Sequence, residues 1–72
     1  MSNDDRVKLR TILHYWIEHN KEHSQEFSQW AERIAALSEI EPARWLRQAT
    51  QEMDKASESL SHALKSLDKG GR

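Results

Sequence analysis

His19 and His23 stand four residues apart, the spacing that brings two side chains onto one face of an α-helix. Two imidazoles stacked in this way can hold a single divalent ion, and imidazole nitrogen suits zinc, nickel, cobalt and iron. Carboxylates are the natural completing ligands. Glu26 lies seven residues beyond His19, on the same side of a helix, and Glu52 reaches the same flank if the chain folds back on itself. The expected metal set is therefore His19, His23, Glu26 and Glu52, with Asn20 orienting a ligand ring by hydrogen bond. His14 points to the other side of its helix and His62 falls off the second apolar stripe, so neither joins a site within one hairpin.

A blander reading competes. Polar residues in an apolar seam often fix register and oligomeric state, and Asn20 and His23 both fall on seam positions. The alternative function is then a structural or adaptor module without metal. The acidic row Glu18, Glu22, Glu26 repels itself at i, i+4, which a cation would relieve, as would Lys21 and Arg33.

Enzymatic motifs do not survive inspection. His19 to His23 fits H-x-x-E-H, an inverted zinc-protease pattern, but that chemistry needs a third ligand and a cleft for a peptide. No Glu is followed by a His three residues later, as a di-iron bundle requires. There is no cysteine nucleophile, no glycine-rich phosphate loop and no nucleophile elbow. The expected protein is not an enzyme.

The elements that must position these residues follow from periodicity. Leu9, Leu13, Trp16, Asn20, His23, Phe27, Trp30, Ile34 and Leu37 recur at alternating steps of four and three, a heptad seam on one helix. A second seam runs through Leu46, Ala49, Met53, Ala56, Leu60, Ala63 and Leu67. Between them Glu41 precedes Pro42, and a residue before proline is pushed out of the α region. The spacing predicts one domain over 1–72: a helix over about 4–38, a turn at 38–41 and a helix over about 42–69. Ser2, Asn3 and Asp4 are N-cap candidates, and Gly70 with Gly71 stops the second helix ahead of a frayed Arg72.

Two long helices with so short a connection must be antiparallel. The fold class is all-α, an antiparallel two-helix hairpin. Folding about the turn sets Trp30 near Ala49, His23 near Ala56, Trp16 near Ala63 and Leu13 near Leu67, large against small. Ile12, Ile17, Trp45 and Leu64 widen the apolar faces beyond what a lone pair covers. A homodimer forming a four-helix bundle is expected, and a partner protein helix would satisfy the same surface.

Composition agrees. The chain has 72 residues, two Gly, one Pro and no Cys, too few turn formers for a β fold and no disulfide to staple a small core. The net charge of −1, with basic residues dispersed, leaves no electrostatic footprint for nucleic acid. No apolar run approaches a membrane span, so a cytoplasmic location is expected.

The stretch Tyr15-Trp16-Ile17-Glu18-His19-Asn20-Lys21-Glu22-His23, followed by Phe27 and Trp30-Ala31, resembles a family of small, uncharacterised helical proteins of bacteria and archaea. Their pattern is roughly H-W-x-x-H-N-x-x-H, then an aromatic and W-A. The resemblance maps onto Trp16, His19, Asn20 and His23; the family's first His falls at Tyr15, which removes one candidate ligand. It implies a metal-linked helical hairpin and no known reaction.

Overall fold

The computed structural model describes residues 3–70. The cap expected at Ser2, the stop at Gly71 and the tail at Arg72 lie outside them. Two helices account for nearly all of the described chain: α1 (Asn3–Ala36) and α2 (Ile40–Gly70). Asp4 and Asp5 sit in the first turn of α1 and Lys69 in the last turn of α2, each complementing the helix dipole.

The turn is tighter than the expected 38–41. It is Leu37, Ser38 and Glu39, and Ser38 has φ 66°. The Glu39 N–H donates to the Ile34 carbonyl at 3.1 Å and the Ser38 N–H to the Ala35 carbonyl at 2.9 Å. This pair of bonds is a Schellman cap, with Ser38 in the left-handed position where glycine is usual. Glu39 then starts α2 at once, its carbonyl accepting from the Ala43 N–H at 3.2 Å. Glu41 is helical although it precedes Pro42, contrary to the sequence expectation. Pro42 falls in the first turn, where no N–H is needed, and the residue four before it, Ser38, has already left the helix. Arg44 closes that turn with a two-oxygen contact to Glu41, at 2.8 and 3.0 Å.

The helices pack antiparallel. Arg6 donates to the Leu67 carbonyl, Arg10 pairs with Asp68 at 2.7 Å, and Ser24 donates to Asp54 at 2.6 Å. This register is within one residue of that expected, but each helix is rotated. The buried and half-buried positions on α1 include Leu13, Ile17, Asn20, Ser24, Phe27, Ala31 and Ile34. On α2 they include Ala43, Leu46, Thr50, Met53, Ser57, Leu60, Leu64 and Leu67. Both are unbroken heptads. Ile17, Ser24 and Ala31 replace the expected Trp16, His23 and Trp30; Thr50, Ser57 and Leu64 replace Ala49, Ala56 and Ala63. On α1 the seam thus takes the smaller of two adjacent residues at these three steps, whereas on α2 it takes Thr50, Ser57 and Leu64 and leaves the alanines outside.

The bulky residues therefore stand outside. Trp16 is 43% exposed, Trp30 52%, Trp45 64% and Leu37 70%, whereas Ala43 and Leu13 in the seam are at 0% and 2%. The molecule is a rod with Cα extents of 53 × 14 × 12 Å and a radius of gyration of 16.3 Å, against about 11 Å for a compact chain of this length. It exposes 5725 Å², about 1,000 Å² more than a compact protein of this mass. No described helix is long and apolar enough to cross a membrane.

Candidate metal centre

The centre of α1 carries a ladder of rings one turn apart. Tyr15 meets His19 edge-on with centroids 5.3 Å apart. His19 stacks on His23 at 4.4 Å, and His23 on Phe27 at 5.9 Å. The residues sit at successive i, i+4 positions, so the helix itself aligns them. Tyr15 and Phe27 close the ends of the ladder and limit where the two imidazoles can swing.

Within it, His23 Nε2 lies 2.8 Å from His19 Nε2. One ring supplies N–H and the other a lone pair, so the contact requires at least one neutral imidazole. On the far side of the ring, His23 Nδ1 lies 3.2 Å from a Glu26 carboxylate oxygen. With Nδ1 as donor to that carboxylate, His23 keeps its Nε2 lone pair free to accept, the arrangement a metal-binding histidine needs. Two imidazoles ligating one ion at about 2.1 Å place their nitrogens roughly 3.0–3.4 Å apart. The Nε2–Nε2 separation is thus a few tenths of an ångström short of that in a chelate, and the ring that donates across it must move its proton to Nδ1 before its Nε2 can ligate.

The rings are not inside the hairpin. His23 belongs to the flank beside Ser24, its side chain 42% exposed and that of Glu26 65% exposed. They line a shallow groove of ≈ 390 Å³ with Glu22, Gln25 and Gln29, wide enough to admit an ion and its waters. The structure brings His19, His23 and Glu26 together. Glu52 stays on α2, accepting from Gln48 at 3.4 Å. No hydrogen bond among the described residues joins Asn20 to either ring; Glu26 does the orienting. His14 and His62 are exposed elsewhere. Among the described residues no group of three or more His, Cys, Asp or Glu is arranged to hold a metal ion. One chain supplies a two-nitrogen bite and no more.

Sequence reasoning missed a second polar cluster. The buried Ser24 hydroxyl donates to Asp54, the nearby Ser57 hydroxyl is buried without a hydrogen-bond partner, and both line a groove of ≈ 430 Å³ with Ile17, Lys21 and Gln25. The available signal was Ser24 standing four residues after Asn20 on a rotated heptad, which only the choice of the smaller residue at each step reveals.

Residues 9–67, from the first seam leucine of α1 to the last of α2, match the family described as a domain of unknown function (DUF8180). The chain belongs to that family. No curated protein and no solved structure matches it. The DUF8180 match covers the whole ring ladder, the turn and both seams, so the hairpin and the His pair lie together inside the family's domain.

Proposed function

We propose that this chain is a small non-enzymatic metal-binding or metal-handling protein of the cytoplasm that acts as a homodimer, two hairpins forming a four-helix bundle. His19 and His23 are the ligands and Glu26 the carboxylate that orients His23. The ion is a borderline divalent cation: nickel, cobalt, zinc or iron. The observation that carries the reading is the 2.8 Å approach of two Nε2 atoms, with a carboxylate already on the opposite nitrogen of one ring. The likeness of Tyr15 to His23 to the H-W-x-x-H-N-x-x-H pattern of small bacterial and archaeal proteins supports the same residues. Glu52 is at most an outer partner, reached through water.

Titration calorimetry of the purified protein with nickel, cobalt and zinc tests this. Micromolar or tighter binding is expected, lost in His19→Ala and in His23→Ala. It should weaken on acidification, because protons compete for the same nitrogens. Absence of heat with every ion sinks the metal reading.

A second reading has its own observation. The two rings already satisfy each other by hydrogen bond, and the bulky face around them is exposed. On that reading the protein is a structural or adaptor module whose face takes a second hairpin or a partner helix. Thermal melts separate the two: a ligand that binds only the folded state must raise its stability, so a midpoint that ignores both chelator and added ion favours the module.

A further inference from the structure

The two flanks of the seam differ in kind. One carries Lys21 on α1 and Arg47, Asp54 and Asp68 on α2. On the other, Trp16, His23 and Trp30 recur at seven-residue intervals along α1, and Ala49, Ala56 and Ala63 along α2. Helical periodicity turns both rows to that same side of the hairpin. Trp16, Trp30, Ala56 and Ala63 are exposed there, and His23 and Ala49 half-buried. The Ser24–Asp54 and Arg10–Asp68 contacts set the register, and at it Trp16, His23 and Trp30 stand within one residue of the heights of Ala63, Ala56 and Ala49. Knobs on one helix thus lie beside holes on the other, and within one chain neither row fills the other.

We infer that this face takes a second copy of the chain, about a two-fold axis that runs along the rod. Such an axis lays α1 of each copy over α2 of the other and changes no height. Each knob then meets a hole in the other copy, and the contact is self-complementary. A crosswise axis at the level of His23 lays α1 on α1 and α2 on α2, which sets Trp16 of one copy against Trp30 of the other and alanine against alanine. With the axis along the rod, every helix of the bundle is antiparallel to both of its neighbours, and both turns lie at one end.

Area and shape both point to a second copy as the occupant. The surface excess of about 1,000 Å² per chain is close to the roughly 800 Å² per partner that a stable interface buries. A foreign helix needs only one of the two rows, whereas a face that carries both at equal heights matches itself. The charged flank stays in water. The groove beside the two imidazoles, lined by Glu22, Gln25 and Gln29, opens on the outer side of α1, so pairing leaves it accessible and each chain keeps its own ring pair. This inference rests on the homodimer reading above and gives it a face and an axis.

Sedimentation of the full chain and of two variants tests the face. Trp16→Ala removes a knob and Ala63→Trp fills the hole that it enters. Both sites are exposed, so each monomer should keep its helicity while its dimer weakens at least about tenfold. Mixed together, the two variants should recover in trans: the filled hole of one meets the missing knob of the other, and native mass spectrometry should show the mixed dimer in excess over both homodimers. A chain that stays monomeric to about 1 mM overturns both this pairing and the homodimer reading. A dimer that ignores both substitutions, or variants that mix only statistically, overturns the pairing and leaves the homodimer standing. The axis is tested by a spin label at Ala36→Cys in this cysteine-free chain. An axis along the rod puts both turns at one end, with labels a bundle width apart, about 25 Å. A crosswise axis at the level of His23 gives about 40 Å and overturns the proposed packing.

Discussion

The two apolar surfaces of this hairpin obey different rules. The seam between α1 and α2 buries Ala31, Ala43 and Ser24, with Leu13 and Leu67 at the open end, and half-buries larger residues such as Phe27 and Met53 between them. The outer face holds Trp16, Trp30 and Trp45, all exposed, and two of these tryptophans have an arginine over the ring, Arg33 at 5.0 Å from Trp30 and Arg44 at 6.0 Å from Trp45. A two-helix rod can bury one stripe of each helix. No tryptophan enters that stripe: the most buried described residues are alanine, serine and leucine, and the largest apolar side chains stay outside. The difference teaches that in a one-layer fold, the size of a hydrophobic residue does not say which surface it serves.

The largest effect should come from the seam. Leu13→Ala removes a side chain that is 2% exposed, in a core with few others, and large-to-small changes at such positions cost about 2–5 kcal/mol. A chain of this length holds only about 4–11 kcal/mol in total, so the variant should be partly unfolded at 37 °C. Trp30→Ala deletes more atoms from a half-exposed site. At concentrations where the chain is monomeric its urea midpoint should move little, within about 1 kcal/mol, while self-association measured by sedimentation weakens sharply. Equal loss of monomer stability in both variants would erase the distinction between seam and face.

This distinction explains what was and was not legible in the sequence. Both helices, their antiparallel pairing and their register could be read, because the turn region and the alternating steps of three and four leave little choice. The rotation could not. Trp16 and Ile17 are both apolar, as are Trp30 and Ala31, so α1 carries two overlapping heptads, and choosing the larger residue at each step picks the outer one. The larger-residue heptad thus puts His23 in the seam where Ser24 stands. The ring pair itself was readable from its i, i+4 spacing. The partnership of Glu26 with His23 was readable only as a neighbourhood, and Glu52 was drawn in by a rotation the helix does not have. The Schellman cap at Ser38 was hidden because serine, unlike glycine, does not announce a left-handed residue.

A matched pair of carboxylate deletions sharpens the comparison at smaller scale. Asp54 accepts from the buried Ser24 hydroxyl at 2.6 Å, and Glu26 meets the half-exposed His23 at 3.2 Å. Asp54→Ala leaves the serine hydroxyl buried without a partner, which costs about 1–3 kcal/mol. Glu26→Ala leaves a ring nitrogen that water can reach, and the stability change should stay under about 0.5 kcal/mol, with its effect read in metal affinity. In a double-mutant cycle, Ser24→Ala with Asp54→Ala should recover most of the loss, since removing both partners leaves nothing unsatisfied.

The smallest expected effect is a gain, and it isolates the turn that holds the seam in register. Ser38 is left-handed at φ 66°, a conformation that costs a residue with a Cβ roughly 1–2 kcal/mol and glycine almost nothing. Ser38→Gly relieves that strain and gives back part of it through the larger freedom of glycine in the unfolded chain. A net stabilisation of about 0.5–1 kcal/mol should remain, seen as a rise in melting temperature of a few degrees. Because Ser38 lies at the end of the rod and off the bulky face, the gain should appear equally in monomer and dimer, and metal affinity should not change. If stabilising the turn instead alters cobalt binding, the two surfaces are coupled through the helix register, and the outer face is not the independent unit that its exposure implies.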